Sequence, residues 1–238
     1  GTVSSIPLIA SSIMSKKIAS GADKILIDIK VGNGALLQTK KDAEKLSDLM
    51  IKIGKVYNRE VRTMISDMNT PLGYSIGNAL EVLEAIDILK GKEKDNNLYD
   101  LCVELASEMV SMGLNISLDE AKELVIDSIE NGSAYNKLLE LIKYQKGNVN
   151  GIKVSDNTYK IKAKSNGIIK KINALELGKL SLSLGAGKIN IKDKIDYDVG
   201  IKLNKLVGDS VKRGDTLATL YIKNKDFDIS IDNIFVIE

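Results

Sequence analysis

The segment at residues 24–35, KILIDIKVGNGA, constrains this chain more than any other. Its first seven residues, KILIDIK, are rich in β-branched residues and short enough to form a strand. Two glycines separated by one asparagine follow at once and predict a turn. Thr39 and Asp42, three apart, then form a capping signature. Ala43, Leu46, Leu49, Met50 and Ile53 recur beyond it at helical spacing. Strand, glycine turn and helix in that order make a β-α unit. A second strand at residues 59–67 and a helical pattern at 77–89, stopped by Gly91, repeat it.

The flanks differ from this centre. Ser4 and Ser5 before Pro7 predict a helix start, and the helix runs through Ile18 until Gly21 ends it. On a helical wheel Ile6, Leu8, Ile9, Ile13, Met14 and Ile18 spread around most of the circumference, so a largely buried helix is expected. Helical stretches at 98–112, 118–129 and 134–144 follow the β-α repeats, the middle one opened by the capping pair Ser117 and Glu120. Beyond Gly147 short alternating runs appear, TYKIKAK, GIIKKI, VGIKL and TLATLYI, separated by Gly, Asn and Asp. The expected architecture is α/β. Residues 1–20 are a helix of a small all-α domain, 21–150 an α/β domain, and 151–238 a β-rich α+β module resembling a barrel-sandwich.

Composition removes several classes of function. The 34 basic and 32 acidic residues are interspersed and leave a net charge of +2, which argues against the concentrated basic face of a nucleic-acid partner. Trp is absent and aromatics are 4%, so no platform for stacking single strands is expected. No apolar run approaches the roughly 18 residues of a membrane span, and no signal peptide is visible, so a cytoplasmic protein is expected. With no histidine, chemistry completed by this segment does without imidazole. Cys102 is alone, which excludes an intrachain disulfide, and its apolar helical setting predicts a buried, inert thiol.

Residues 5–17 (SIPLIASSIMSKK) are similar to the second signature region of thymidine and pyrimidine-nucleoside phosphorylases. The resemblance continues through 27–35 (IDIKVGNGA), 65–68 (ISDM) and 71–82 (PLGYSIGNALEV), and returns at 184–187 (LGAG) and 207–215 (VGDSVKRGD). It implies phosphorolysis of uridine or thymidine to free base and pentose 1-phosphate in nucleoside salvage, with phosphate as co-substrate, by a homodimer that pairs through its first helix. The family's glycine-rich phosphate loop has no counterpart in these residues. An incomplete active site is therefore expected, and a folded piece that dimerises but binds no phosphate is the competing reading.

By the same resemblance Ser12 and Lys16 bind the pyrimidine base. Their spacing of four puts both on one helix face. Lys16 shares that face with Ile9 and Ile13, so it either meets an anionic or carbonyl partner or packs its stem while the ammonium reaches water. Several members of the family also hold a potassium ion through two backbone carbonyls and a glutamate, at positions matching Leu72, Ser75 and Glu84 here; Ser75 replaces a usual alanine. Oxygen ligands suit a hard cation. A glutamate solvated on a helix would show the same pattern at Glu84.

Three weaker signals are read structurally. The VGNGA loop lacks the GxGxxG and GxxxxGK[ST] patterns of phosphate cradles, and a structural turn is expected. No dinucleotide fingerprint supports a nucleotide-binding module of another kind. Residues 207–222 resemble half of a biotinyl or lipoyl carrier domain, but no Met-Lys or Lys-Met pair follows Gly151, so a shared β-fold without attached cofactor is expected.

Overall fold

In the computed structural model, which describes residues 3–92, 94, 96–223 and 233–238, helices and strands mix along the chain. In order they are α1 (Ile6–Ala19), β1 (Lys24–Val31), α2 (Lys40–Val56), β2 (Glu60–Asp67), β3 (Ser75–Ile76), α3 (Asn78–Leu89), α4 (Asn97–Leu114), α5 (Leu118–Glu130) and α6 (Ser133–Tyr144). The C-terminal elements are β4 (Thr158–Lys162), β5 (Gly167–Ile172), α7 (Ala174–Ser181), β6 (Gly200–Leu203), β7 (Ser210–Val211), β8 (Thr216–Tyr221) and β9 (Phe235–Ile237). This is an α/β fold with a β-rich C-terminal part. Among the described residues no single helix is long and apolar enough to cross a membrane.

Packing groups these elements into two compact units. One joins Gly1–Asn69 with Asp100–Asp127, the other Thr70–Tyr99 with Ser128–Glu238, so both later boundaries fall inside helices.

In the first unit β1 and β2 pair in parallel, from Lys24 opposite Glu60 to Val31 opposite Asp67, with α2 as the connection. Side chains alternate across a strand, and Ile25, Ile27 and Ile29 bury one face of β1 against Ala43, Leu46 and Met50 of α2 and Ala10 and Met14 of α1. The capping signatures form as expected. The Thr39 Oγ1 accepts the Asp42 N–H at 3.2 Å, and Ser117 and Glu120 exchange bonds between backbone N–H and side chain in both directions. The Ser117 hydroxyl and N–H hold the Glu120 carboxyl below its usual range. The stability this bond adds is therefore present above the ordinary carboxylate range and is lost as pH falls through the lowered value.

The first helix departs from expectation. Only Ala10 and Met14 of α1 are buried, whereas Leu8 is 51% exposed. One line of the helix packs on α2, and residues on its other side, Leu8, Ser12 and Lys16 among them, are exposed. Ser5 occupies the N-cap position, but its side chain makes no capping bond.

In the second unit a four-stranded antiparallel sheet runs in the order β3-β6-β8-β4, and a three-stranded one in the order β7-β5-β9. Between them lies a core that includes Ile169, Ile172, Leu177, Ile201 and Leu220. The two-residue strand β3 joins by pairing Ser75 with Lys202 and Ile76 with Ile201. Glycines permit that approach. A Cβ at Gly200 would lie 2.6 Å from the Ile76 carbonyl oxygen, and Gly77 has φ +128°. The helix α7 supplies a helical part of this β-rich module, between the strands β5 and β6. Asn173 caps it through the Glu176 N–H, and Ala174, Leu177, Leu180 and Ser181 are its buried residues.

Leu220 is fully buried, whereas Ile191 is 95% exposed. Leu220→Ala is expected to lower unfolding free energy by about 2–5 kcal/mol in denaturant titrations, and Ile191→Ala to change it by no more than about 0.5 kcal/mol.

Candidate functional site

The buried residues of α1 decide where its polar residues point. At 100° per residue, Ser12 and Lys16 stand about 200° around the helix from Ala10 and Met14. Both are exposed, on the side opposite the core. Ile9 and Ile13, beside Lys16 on the wheel, are half-buried against that core and leave the ammonium outside it. The Ser12 carbonyl accepts the Ser15 hydroxyl at 3.3 Å, and the Lys16 carbonyl accepts the Ser20 N–H at 3.1 Å. These are backbone contacts. The hydroxyl and the ammonium thus lie one helical turn apart on a solvent-facing strip.

The glycine loop after β1 is occupied by its own hydrogen bonds. The N–H groups of Gly32, Gly34 and Ala35 donate to the carbonyls of Leu37, Met68 and Gly32 at 3.0, 2.9 and 3.0 Å. That of Asn33 donates to the Asn69 Oδ1 at 3.1 Å. A loop that cradles phosphate needs free N–H donors. Here all four are used, and the segment is a structural turn.

Beside it, the C-terminal ends of β1 and β2 carry a linked polar trio that motif reading passed over as strand residues. Ser66 donates to the Asp28 Oδ1 at 2.5 Å, the Lys30 ammonium donates to the Ser66 hydroxyl at 2.9 Å, and Lys30 pairs with Asp28 at 2.5 Å. The spacing of two between Asp28 and Lys30, on the face opposite the isoleucines, was the available signal.

Cys102 corrects an expectation, since it is exposed and not buried. Apolar residues around the helical run suggested burial, but the buried positions of α4 are Val103, Ser107, Ser111 and Met112. Partial desolvation nevertheless pushes its thiol above the ordinary value, opposed by Lys30 and reinforced by Asp28.

Glu84 is also not the solvated helix residue that the pattern allowed. It is 6% exposed, and its carboxylate turns back on the loop before β3. The Tyr74 N–H donates to Oε1 at 2.7 Å and the Ser75 N–H to Oε2 at 2.9 Å. Gly73 lies so close that a Cβ there would stand 2.6 Å from Oε1, and its φ is +67°. A buried carboxylate needs such partners, because desolvating an unpaired charge is costly. Each oxygen takes one of these bonds and keeps a second lone pair. The carboxylate is a hard-oxygen donor, which suits a monovalent or alkaline-earth cation better than a soft metal.

Residues 1–135 match the glycosyl transferase family a/b domain, and residues 168–234 match the pyrimidine nucleoside phosphorylase C-terminal domain. The chain is 47% identical over 235 residues to a pyrimidine-nucleoside phosphorylase of Staphylococcus haemolyticus, covering 96% of this chain and 54% of that relative. It is 44% identical over 242 residues to one of Bacillus subtilis, covering 99% and 56%. A Staphylococcus epidermidis relative of the same name is 45% identical over 248 residues, covering 100% and 57%. The chain therefore spans about half the length of the curated relatives it matches.

Three expected outcomes follow from this geometry. Gly73→Ala forces a β-carbon into the Glu84 carboxylate at a left-handed φ and is expected to cost more than about 2 kcal/mol. Gly178→Ala, on the exposed side of α7 with open space around it, should stabilise by about 0.5–1 kcal/mol in the same urea titration. Cys102 alkylation by iodoacetamide should rise with a pH midpoint above that of free cysteine, since reaction needs the thiolate.

Proposed function

The chain belongs to the pyrimidine-nucleoside and thymidine phosphorylase family, and on that premise we propose that it serves a pentosyltransferase of nucleoside salvage. The reaction exchanges the base of uridine or thymidine for phosphate, giving free base and pentose 1-phosphate. The observation that carries this reading is the exposed pair Ser12 and Lys16, one turn apart on the outward side of α1.

The chemistry explains why such a pair is useful. As the bond between C1′ and the ring nitrogen breaks, its electrons move to the pyrimidine and the sugar becomes oxocarbenium-like, while a phosphate oxygen attacks C1′. Negative charge spreads to the ring oxygens. A hydroxyl donor and an ammonium aimed at those oxygens stabilise the departing base more than the bound nucleoside, which lowers the barrier. An ammonium also serves without histidine, because it needs no deprotonation to act as a donor.

The cation site belongs to the same reading. The carbonyls of Leu72 and Ser75 and the carboxylate of Glu84 would hold potassium, which would supply a fixed positive charge tying this loop to neighbouring chain. The hard-oxygen character of the set and the burial of Glu84 support that assignment. The outward side of α1, with Leu8 exposed, supports pairing of two copies into a homodimer, which we place in the cytoplasm.

The competing reading is a folded piece that dimerises without binding phosphate. It draws support from the glycine turn, whose four N–H groups are taken. The discriminating experiment measures phosphate-dependent release of uracil and thymine by this chain and by a protein of the relatives' full length that contains it. Activity in the longer protein, lowered about a hundredfold in kcat/KM by Ser12→Ala or by Lys16→Ala, is the expected result. Wild-type activity in both variants would remove the base-binding assignment. Absence of phosphorolysis in the longer protein would leave the non-catalytic reading standing.

A further inference from the structure

We infer that Asn97 is the positioning residue of the cation loop, setting the direction of the Leu72 carbonyl; the inference rests on the cation site proposed above. Asn97, at the start of α4, bridges the loop with both ends of its amide. Its Oδ1 accepts the Gly73 N–H at 2.9 Å, and its Nδ2 donates to the Pro71 carbonyl at 3.3 Å. One side chain therefore grips the backbone on either side of Leu72.

Peptide geometry turns that grip into an orientation. Among the described residues no peptide bond is cis. In a planar trans peptide the carbonyl of one residue points opposite to the N–H of the next. Because the Gly73 N–H points at Asn97, the Leu72 carbonyl points away from it. The next two peptide planes are set in the same manner by Glu84, which takes the N–H groups of Tyr74 and Ser75. The Tyr74 carbonyl, directed away from Glu84, accepts the Leu203 N–H at 2.7 Å. Three consecutive planes are thus held, two by the carboxylate and the first by Asn97.

That first plane most needs an external clamp. It adjoins Gly73, which has no Cβ to restrict it and sits at φ +67°. Without the Asn97 bond the Leu72–Gly73 peptide could rotate and carry its carbonyl away from a shared ion. A partner outside the ligand shell that orients a ligand typically changes metal affinity by about 10–100-fold when removed. Asn97 is itself exposed, so its replacement opens no core cavity. Helix capping at this end comes from its neighbour, the buried Asn96, whose Oδ1 accepts the Tyr99 N–H at 2.8 Å.

The test uses the full-length protein with potassium titrated against choline at constant ionic strength. It reads the potassium-dependent rise in Tm and the line broadening of thallium-205, a potassium surrogate. Asn97→Ser and Asn97→Ala should raise the half-saturating potassium concentration by about tenfold or more. Serine is well tolerated at a helix start, so the test survives even if the alanine variant folds poorly. Asn97→Asp keeps an acceptor for the Gly73 N–H and should stay within about threefold of wild type, well short of the loss from an absent partner. A merely structural role would lower Tm equally in potassium and in choline, and that result overturns the inference. If Glu84→Gln abolishes the potassium response while Asn97→Ser keeps it, the cation site stands and Asn97 is idle. If wild type shows no potassium response, the cation site fails and the inference with it.

Discussion

The buried carboxylate of Glu84 holds the loop that brings the segment Thr70–Tyr99 to the C-terminal sheet of the second unit. A charge in that position is tolerable only because two successive N–H groups, those of Tyr74 and Ser75, converge on its oxygens. The bonds bend the chain between Pro71 and Ser75, and that bend delivers β3 to the edge of β6. A strand of two residues has little stability of its own, so it exists where the loop is already held. Through it the segment Thr70–Tyr99 is built into the C-terminal sheet. A helix residue and a turn thereby specify which part of the chain joins which core.

The first unit follows a different logic, that of a strand with two unlike faces. Isoleucines on one face of β1 collect α1 and α2, and the line of contact they offer to α1 is narrow. That narrowness leaves Ser12 and Lys16 outside, since a helix buried along one line must expose the side opposite. On the other face of the strand Asp28 and Lys30 satisfy each other through Ser66 and bind the ends of the two strands together. The adjacent glycine turn closes on itself, with each N–H between Gly32 and Ala35 taken.

Both candidate sites share a design in which a packed element fixes the geometry and a polar group uses it. Ser12 and Lys16 inherit their spacing from a regular helix. Glu84 inherits its position from α3, whose Leu80, Ile86 and Ile88 are buried. The loop that faces it is flexible in principle, because Gly73 permits many conformations, and it is set by hydrogen bonds from outside.

Local signals in the sequence determined the elements whose causes are local. The capping pairs at Thr39 and Ser117, the isoleucine-rich strand, the glycine turn and the alternating C-terminal runs all depend on residues within a few positions, and each is found where it was expected. The spacing of Ser12 and Lys16 was legible for the same reason. Tertiary structure decided the rest. The sequence pattern left Glu84 open between a ligand and a solvated residue, because burial depends on which distant segment lies across a side chain. The exposure of Cys102 and of most of α1 escaped reading since hydrophobic periodicity shows what could be covered, not what is. The strand β3 was too short to carry a pattern. Asn97 gave no signal, since its partners at Pro71 and Gly73 lie more than twenty residues away and meet it only when α4 comes against the loop. Periodicity is a property of neighbours in the chain, while burial and long-range hydrogen bonds are properties of neighbours in space.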